Sequence, residues 1–174
     1  MKQKDLVILS GIPGSGKSTW LRTHLGDGDA YVSRDEVRFS TISDNEDYFS
    51  HETEVFDKFV AEIEAKLNEG KRVFADATHI NWASRRKLLE RIRDKKNINI
   101  DVYMFTASLE TCLARNTQRT GRALVPEGVI RRMYKQLTNP ATDPFNYRYI
   151  ITIDTETIGT EGEMYRVVGY LGDK

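Results

Sequence analysis

The feature that most constrains this chain is Gly11-Ile-Pro-Gly-Ser-Gly-Lys-Ser18, which fits the pattern G-x-x-x-x-G-K-[ST]. An apolar run, Asp5-Leu-Val-Ile-Leu-Ser10, stands directly before it, and Thr19-Trp-Leu-Arg-Thr-His-Leu25 continues after it as a helix. That context gives the pattern its meaning. Glycines let the backbone curl until successive N–H groups converge on one anion, and the positive end of the following helix dipole faces the same point. The loop residues Gly11, Pro13, Gly14, Ser15, Gly16 and Thr19 therefore read as a phosphate cradle, with Lys17 bridging the β and γ phosphates and Ser18 holding Mg²⁺. The expected ligand is a nucleoside triphosphate, ATP or GTP, with Mg²⁺. The guanine-reading N-K-x-D of GTPases is missing, which points to ATP.

Further strands are expected at 30–33, 72–76, 98–105 and 147–154. Helices are expected over 17–25, from Asp35 onward, and over 49–69, 83–95, 109–117 and 127–137, with Gly70 where a C-terminal cap belongs. This alternation predicts an α/β fold: a parallel sheet of about five strands with helices on both faces. The 174 residues, 39% hydrophobic and 30% charged, suit one domain over 1–174. Asn139-Pro-Ala-Thr-Asp-Pro144 reads as a loop into the last strand. The sequence shows no secretory or membrane-spanning apolar stretch, one cysteine and three scattered histidines. Hence the expectation is a cytoplasmic chain with neither disulfide nor zinc site.

Twenty-six basic and twenty-six acidic side chains cancel, but their distribution is uneven. Six carboxylates and no Lys or Arg lie between Phe39 and Asp57, while Arg85–Lys96 carries seven basic residues and Arg115–Lys135 six. Each run reads first as the solvated face of a helix.

Asp76 ends a strand, so it either reaches Mg²⁺ or caps the next segment. Ser33-Arg-Asp-Glu-Val-Arg38 follows the second strand, where Asp35 and Arg38 fall one helical turn apart. A carboxylate there can accept a hydroxyl proton while the guanidinium grips a phosphate on the same acceptor. Arg115 and Arg119 share a helix face ahead of Gly121, the outline of a lid over about 115–137 that delivers an arginine to the transferring phosphoryl group. Cys112 lies on the opposite stripe and reads as core.

The order G-x-P-G-S-G-K-S-T-W, R-D-x-x-R, D-A-T, then R-N-x-x-R followed by V-P and an R-R-M-Y-K helix resembles the kinase domain of bacteriophage polynucleotide kinase, over about Leu6 to Leu137. The resemblance implies a three-layer P-loop kinase fold with a helical lid. It implies ATP and Mg²⁺ at Lys17 and Ser18, Asp35 as general base, and Arg38 on the acceptor's 3′ phosphate. It also makes Arg119 the lid arginine, Arg115 a second donor-side contact and Val125 a neighbour of the acceptor base. Thr78 falls in the D-A-T segment as a candidate acceptor contact, although Asp76–Asn81 is spaced differently from the family's segment. The family's phosphatase motif D-x-D-G-T is not matched at Ile153-Asp-Thr-Glu-Thr157, so kinase activity without phosphatase is expected. The expected function is transfer of the γ-phosphate of ATP to the 5′-hydroxyl of DNA or RNA. A mononucleotide or small-molecule kinase and a non-catalytic nucleotide sensor are the alternatives; an acceptor-side base argues against the sensor.

Overall fold

The computed structural model describes residues 4–93, 95–156 and, as backbone, 166–171. Strand β1 (Lys4–Ser10) lies at the centre of the sheet. Its Leu6, Val7, Ile8 and Leu9 are all fully buried, as a parallel strand covered on both faces requires. Around it run β2 (Asp29–Ser33), β3 (Arg72–Asp76), β4 (Ile98–Thr106), β5 (Tyr149–Asp154) and β6 (Arg166–Leu171), in the order β2-β3-β1-β4-β5-β6. The first five are parallel, as expected. The sixth, antiparallel to β5 and beyond the expected set, closes one edge.

Pleating sends Leu6 and Ile8 to one face and Val7 and Leu9 to the other. The first face packs on α2 (Arg34–Thr41), α3 (Glu52–Asn68) and α4 (Trp82–Arg91). In α3 the apolar stripe Val55, Phe56, Phe59, Val60, Ile63 and Leu67 repeats at helical spacing and is buried along its length. Each such side chain contributes roughly 1.5–3 kcal/mol by burial. The helix ends at Gly70, whose φ of 77° is the left-handed value expected of a cap. The second face packs on α1 (Lys17–His24) through Trp20 and Leu21, with Trp20 edge-on to Tyr103 and Phe105 at 5.5 Å each. A third cluster, Ile12, Ile80, Cys112 and Ile130, joins the cradle to α5 (Leu109–Thr117) and α6 (Glu127–Lys135). Cys112 is core, as expected.

The 83–95 stretch departs from expectation in two ways. The fourth helix stops at Arg91, because Ile92 turns extended and buries its side chain. The basic run that begins there is not wholly a solvated face. Arg85 is fully buried, holding Asp143 through Nε at 2.5 Å and Nη2 at 2.8 Å, and donating to His79 O at 3.0 Å. That pair anchors the 139–144 loop beneath the sheet's carboxyl edge. No helix among the described residues is long and apolar enough to cross a membrane.

Candidate active site

Strand register decides what meets at that edge. Leu9 pairs with Asp76 and Ser33 also pairs with Asp76. The glycine turn after β1, the end of β2 and the end of β3 therefore lie side by side, where open α/β sheets hold their ligands.

The turn is built by backbone. Gly14 and Gly16 adopt φ of 84° and 88°, left-handed values open to glycine. A Cβ on Gly14 would stand 2.4 Å from the Cys112 carbonyl oxygen, and one on Gly11 2.5 Å from Ser15 Oγ. Gly16 caps α1, Thr19 lies in its first turn and Pro13 is half-buried in the loop. Lys17 is buried, and its ammonium donates to Gly11 O at 2.7 Å and Ile12 O at 3.2 Å. Burial pushes its pKa below the ordinary lysine value; the Asp76 carboxylate opposes that, and the charge of Arg119 adds to it. Ser15 Oγ is buried without a hydrogen-bond partner among the described residues. A buried cation, an orphaned hydroxyl and a helix N-terminus facing one turn fit the phosphates of a nucleotide.

Ser18 Oγ donates to Asp76 Oδ2 at 3.1 Å. Burial pushes the Asp76 carboxyl up, while Lys17 and the Ser18 hydroxyl hold it down. The cap of α4 is Asn81, which accepts from Ser84 N at 3.0 Å in a capping box. Asp76 is thus left facing Ser18, and the two oxygens form a pair of the hard type that suits Mg²⁺.

On the acceptor side, Ser33 caps α2 and accepts from Glu36 N at 3.4 Å. Arg38 Nη1 donates to Asp35 Oδ1 at 3.1 Å, so the expected pair forms. Arg38, however, is only 5% exposed. Its Nε donates to Glu52 Oε1 at 3.1 Å and its Nη2 to the same oxygen, while Nη1 also donates to the Tyr48 hydroxyl at 2.9 Å. Glu52 Oε2 accepts from Arg34 Nη2 at 2.8 Å. Two arginines meet two carboxylates, and the cluster is electrically balanced. Nothing in the sequence marks Glu52 and Tyr48 within the carboxylate-rich run, which is therefore not entirely a solvated face. No spacing signal connects them to Arg38, because a loop brings them back to it.

The lid arginines divide. Arg115 Nη1 donates to Gly14 O at 3.1 Å and Thr155 Oγ1 at 3.2 Å, and its Nη2 to Thr155 O. Thr155 Oγ1 donates in turn to Ser15 O at 2.7 Å. Arg115 therefore ties the cradle to the end of β5. Arg119 is half-buried and makes one long hydrogen bond, to Ala123 O at 3.5 Å. Asn116 pins the lid by exchanging hydrogen bonds with the Val125 backbone at 2.7 and 3.1 Å. Arg122 crosses from the lid to the loop after α2, donating to Ser43 O at 2.6 Å and pairing with Asp44 at 3.2 Å. Val125 is half-buried on a cavity of about 430 Å³ shared with Leu113 and Leu124. Thr78 is half-buried at the sheet edge, its carbonyl accepting from Gly11 N at 2.8 Å.

Among solved structures, the chain is similar to one in the structure of the Pnkp1/Rnl/Hen1 RNA repair complex, at 27% identity and a TM-score of 0.69, over 79% of this chain and 45% of that one. It thus spans less than half the length of that protein. A sugar kinase from Janibacter sp. (15% identity, TM-score 0.59, 87% and 85% covered) and a gluconokinase from Sinorhizobium meliloti (16%, 0.50, 88% and 84%) share the fold. The three-layer sheet, the cradle and the lid are those of a P-loop kinase fold, which implies a nucleotide ligand. A family model described as an AAA domain, AAA_33, matches residues 6–140, from the central strand through the lid, and the chain belongs to that family.

Proposed function

We propose that the chain is an ATP-dependent kinase for the 5′-hydroxyl end of DNA or RNA. The observation that carries this reading is the placement of Asp35: one helical turn from Arg38, mostly exposed, and two residues past Ser33, which pairs with Asp76 at the end of β3 beside the cradle. An exposed carboxylate beside a phosphate cradle accepts the proton of an attacking hydroxyl as the new O–P bond forms and the bond to ADP breaks. Lys17 and Arg119 offset the charge on the transferring phosphoryl oxygens. Ser18 and Asp76 would hold Mg²⁺, which supplies further charge neutralisation when bound. Arg115 supports the donor side by fixing Gly14.

A guanidinium has five N–H donors. Four in Arg38 are committed, and one on Nη2 has no partner among the described residues. That donor suits one oxygen of the phosphate 3′ to the reacting nucleoside. Val125 and Thr78 are assigned to that nucleoside by the resemblance of the motifs. The resemblance of the motifs to polynucleotide kinase and the similarity to a chain of an RNA repair complex support the same acceptor.

A small-molecule acceptor is the second reading, and one observation favours it. The acceptor cluster carries no net charge, and the loop beside it bears Asp44, Glu46 and Asp47. The deciding experiment offers γ-labelled ATP and Mg²⁺ with 5′-hydroxyl DNA and RNA oligomers, nucleoside 3′- and 5′-monophosphates, gluconate and other sugars. Label in the oligomers and the 3′-monophosphates is expected. Label confined to sugars or 5′-monophosphates would overturn the polynucleotide reading.

A further inference from the structure

Tyr48 stands in the loop between α2 and α3, and its hydroxyl has its hydrogen-bond directions forced on it. Arg38 can only donate, so the hydroxyl accepts from Nη1 at 2.9 Å, and its own proton goes to Asp35 Oδ1 at 2.7 Å. Asp35 Oδ1 thereby receives two donors, Tyr48 and Arg38, while Oδ2 receives none from any described residue. A carboxylate rotates over a broad torsional well. With one donor on it, either oxygen could take that place; with two converging donors, one oxygen is claimed and the other left open.

The ring is itself held. The Arg38 guanidinium lies 4.3 Å from its centroid, and the Phe39 and Phe49 rings meet it edge-on at 6.2 and 5.0 Å. Burial and the Asp35 carboxylate push the Tyr48 phenol up to about 12, so it stays a proton donor at neutral pH.

We infer that Tyr48 is a positioning residue for the acceptor hydroxyl: by occupying Asp35 Oδ1 it leaves Oδ2 as the atom that accepts the proton. The inference rests on Asp35 being the base of the proposed kinase. It adds to the site a side chain that neither the motif nor the charge pattern marks.

The test is Tyr48→Phe, which keeps the ring under Arg38 and removes the hydroxyl. Losing one hydrogen bond to a charged group should lower kcat about 10- to 100-fold. KM for ATP should be unchanged, and the melting temperature should fall by only a few degrees, because Arg38 Nη1 keeps Asp35 as an acceptor. In an Asp35→Asn background, the same substitution should change residual kcat by less than about twofold, because Tyr48 acts through the carboxylate. The acceptor is whichever of a 5′-hydroxyl oligonucleotide, a nucleoside 3′-monophosphate or gluconate the wild type phosphorylates, or water, through slow ATP hydrolysis, if it phosphorylates none. Transfer to gluconate alone removes the polynucleotide reading and leaves the Tyr48 measurement intact. The inference is overturned by a Tyr48→Phe enzyme with kcat within about twofold of wild type, by a loss that recurs in full beside Asp35→Asn, or by one that disappears when turnover is measured well below the variant's melting temperature.

Discussion

The glycine cradle and the Asp35–Arg38 cluster, the proposed donor and acceptor halves of the site, share one sheet edge and are built in opposite ways. The cradle is backbone: two left-handed glycines, a helix N-terminus and one buried lysine seated on the loop's own carbonyls. The acceptor cluster is side chain, with Arg34, Asp35, Arg38, Tyr48 and Glu52 drawn from two helices and the loop joining them, and with Asp35 65% exposed on its side-chain atoms. A cradle of backbone tolerates little change, since a Cβ on Gly14 would strike Cys112. A balanced cluster of side chains can be retuned one residue at a time. That difference makes the acceptor the harder half to read.

The largest effect is expected at Arg119, the proposed lid arginine, whose guanidinium makes one long hydrogen bond, to Ala123 O. Arg119→Ala should lower kcat by about 10³-fold or more, with a far smaller change in acceptor KM. Arg119→Lys should restore little, because a point charge does not contact two oxygens as the planar fork does. Steady-state kinetics on both variants decide it, and near-normal turnover in the lysine variant would reduce Arg119 to a general electrostatic role.

On the acceptor half alone, Arg38→Ala should raise acceptor KM by about tenfold or more. It would also leave Glu52 with Arg34 as its one remaining partner, a cost to local order. The rise should be steeper for a nucleoside 3′-monophosphate than for an oligonucleotide. If the acceptor is a strand, its other phosphates would add contacts to the basic segment 115–135, a contribution that weakens with salt. Measuring both acceptors at two ionic strengths sharpens the comparison. Equal losses on the two would remove the phosphate contact assigned to Arg38.

The smallest effect on catalysis is expected behind the cradle. His79 is buried, donates from Nδ1 to Leu9 O at 2.9 Å, and is pushed by burial from 6.5 to about 4. Its folded pKa lies below its unfolded one, so its contribution to stability is intact above about pH 6.5. Between there and about pH 4 the unfolded chain binds a proton that the native chain does not, and stability falls as pH falls. His79→Asn keeps a residue that tolerates the φ of 39° found there and removes this titration. The stability gap between wild type and variant, read from denaturant melts, should be constant above pH 7 and shrink on acidification. A gap that stays flat down to pH 4 would contradict the assignment.

What the sequence shows of this molecule follows the same division. The glycine turn is legible because backbone curvature imposes glycine at fixed spacing, and the apolar run before it can only be a buried strand. Asp35 and Arg38 are legible as a pair because one helical turn separates them. Glu52 and Tyr48 are not, since only the folded loop places them on Arg38, and a run of carboxylates looks the same whether solvated or bonded to a buried arginine. Arg85 misleads for the same reason: its partner Asp143 lies 58 residues away. Arg115 and Arg119 look equivalent four residues apart, yet Arg115 is drawn into the gap between Gly14 and Thr155 and Arg119 is not. The sixth strand pairs antiparallel and lies outside the strand–helix alternation that marks the other five.

The separation of donor from acceptor is tested most directly by titrating a non-hydrolysable ATP analogue with Mg²⁺ into wild type, Lys17→Ala and Asp35→Ala, beside turnover on the working acceptor. Both variants should lose transfer, Asp35→Ala by about 10²- to 10⁴-fold as expected of a missing base. Lys17→Ala should bind the analogue weakly and Asp35→Ala as wild type does. An Asp35→Ala protein that loses nucleotide affinity as Lys17→Ala does, while turning over normally at saturation, would show that Asp35 belongs to the donor half and contradict the division.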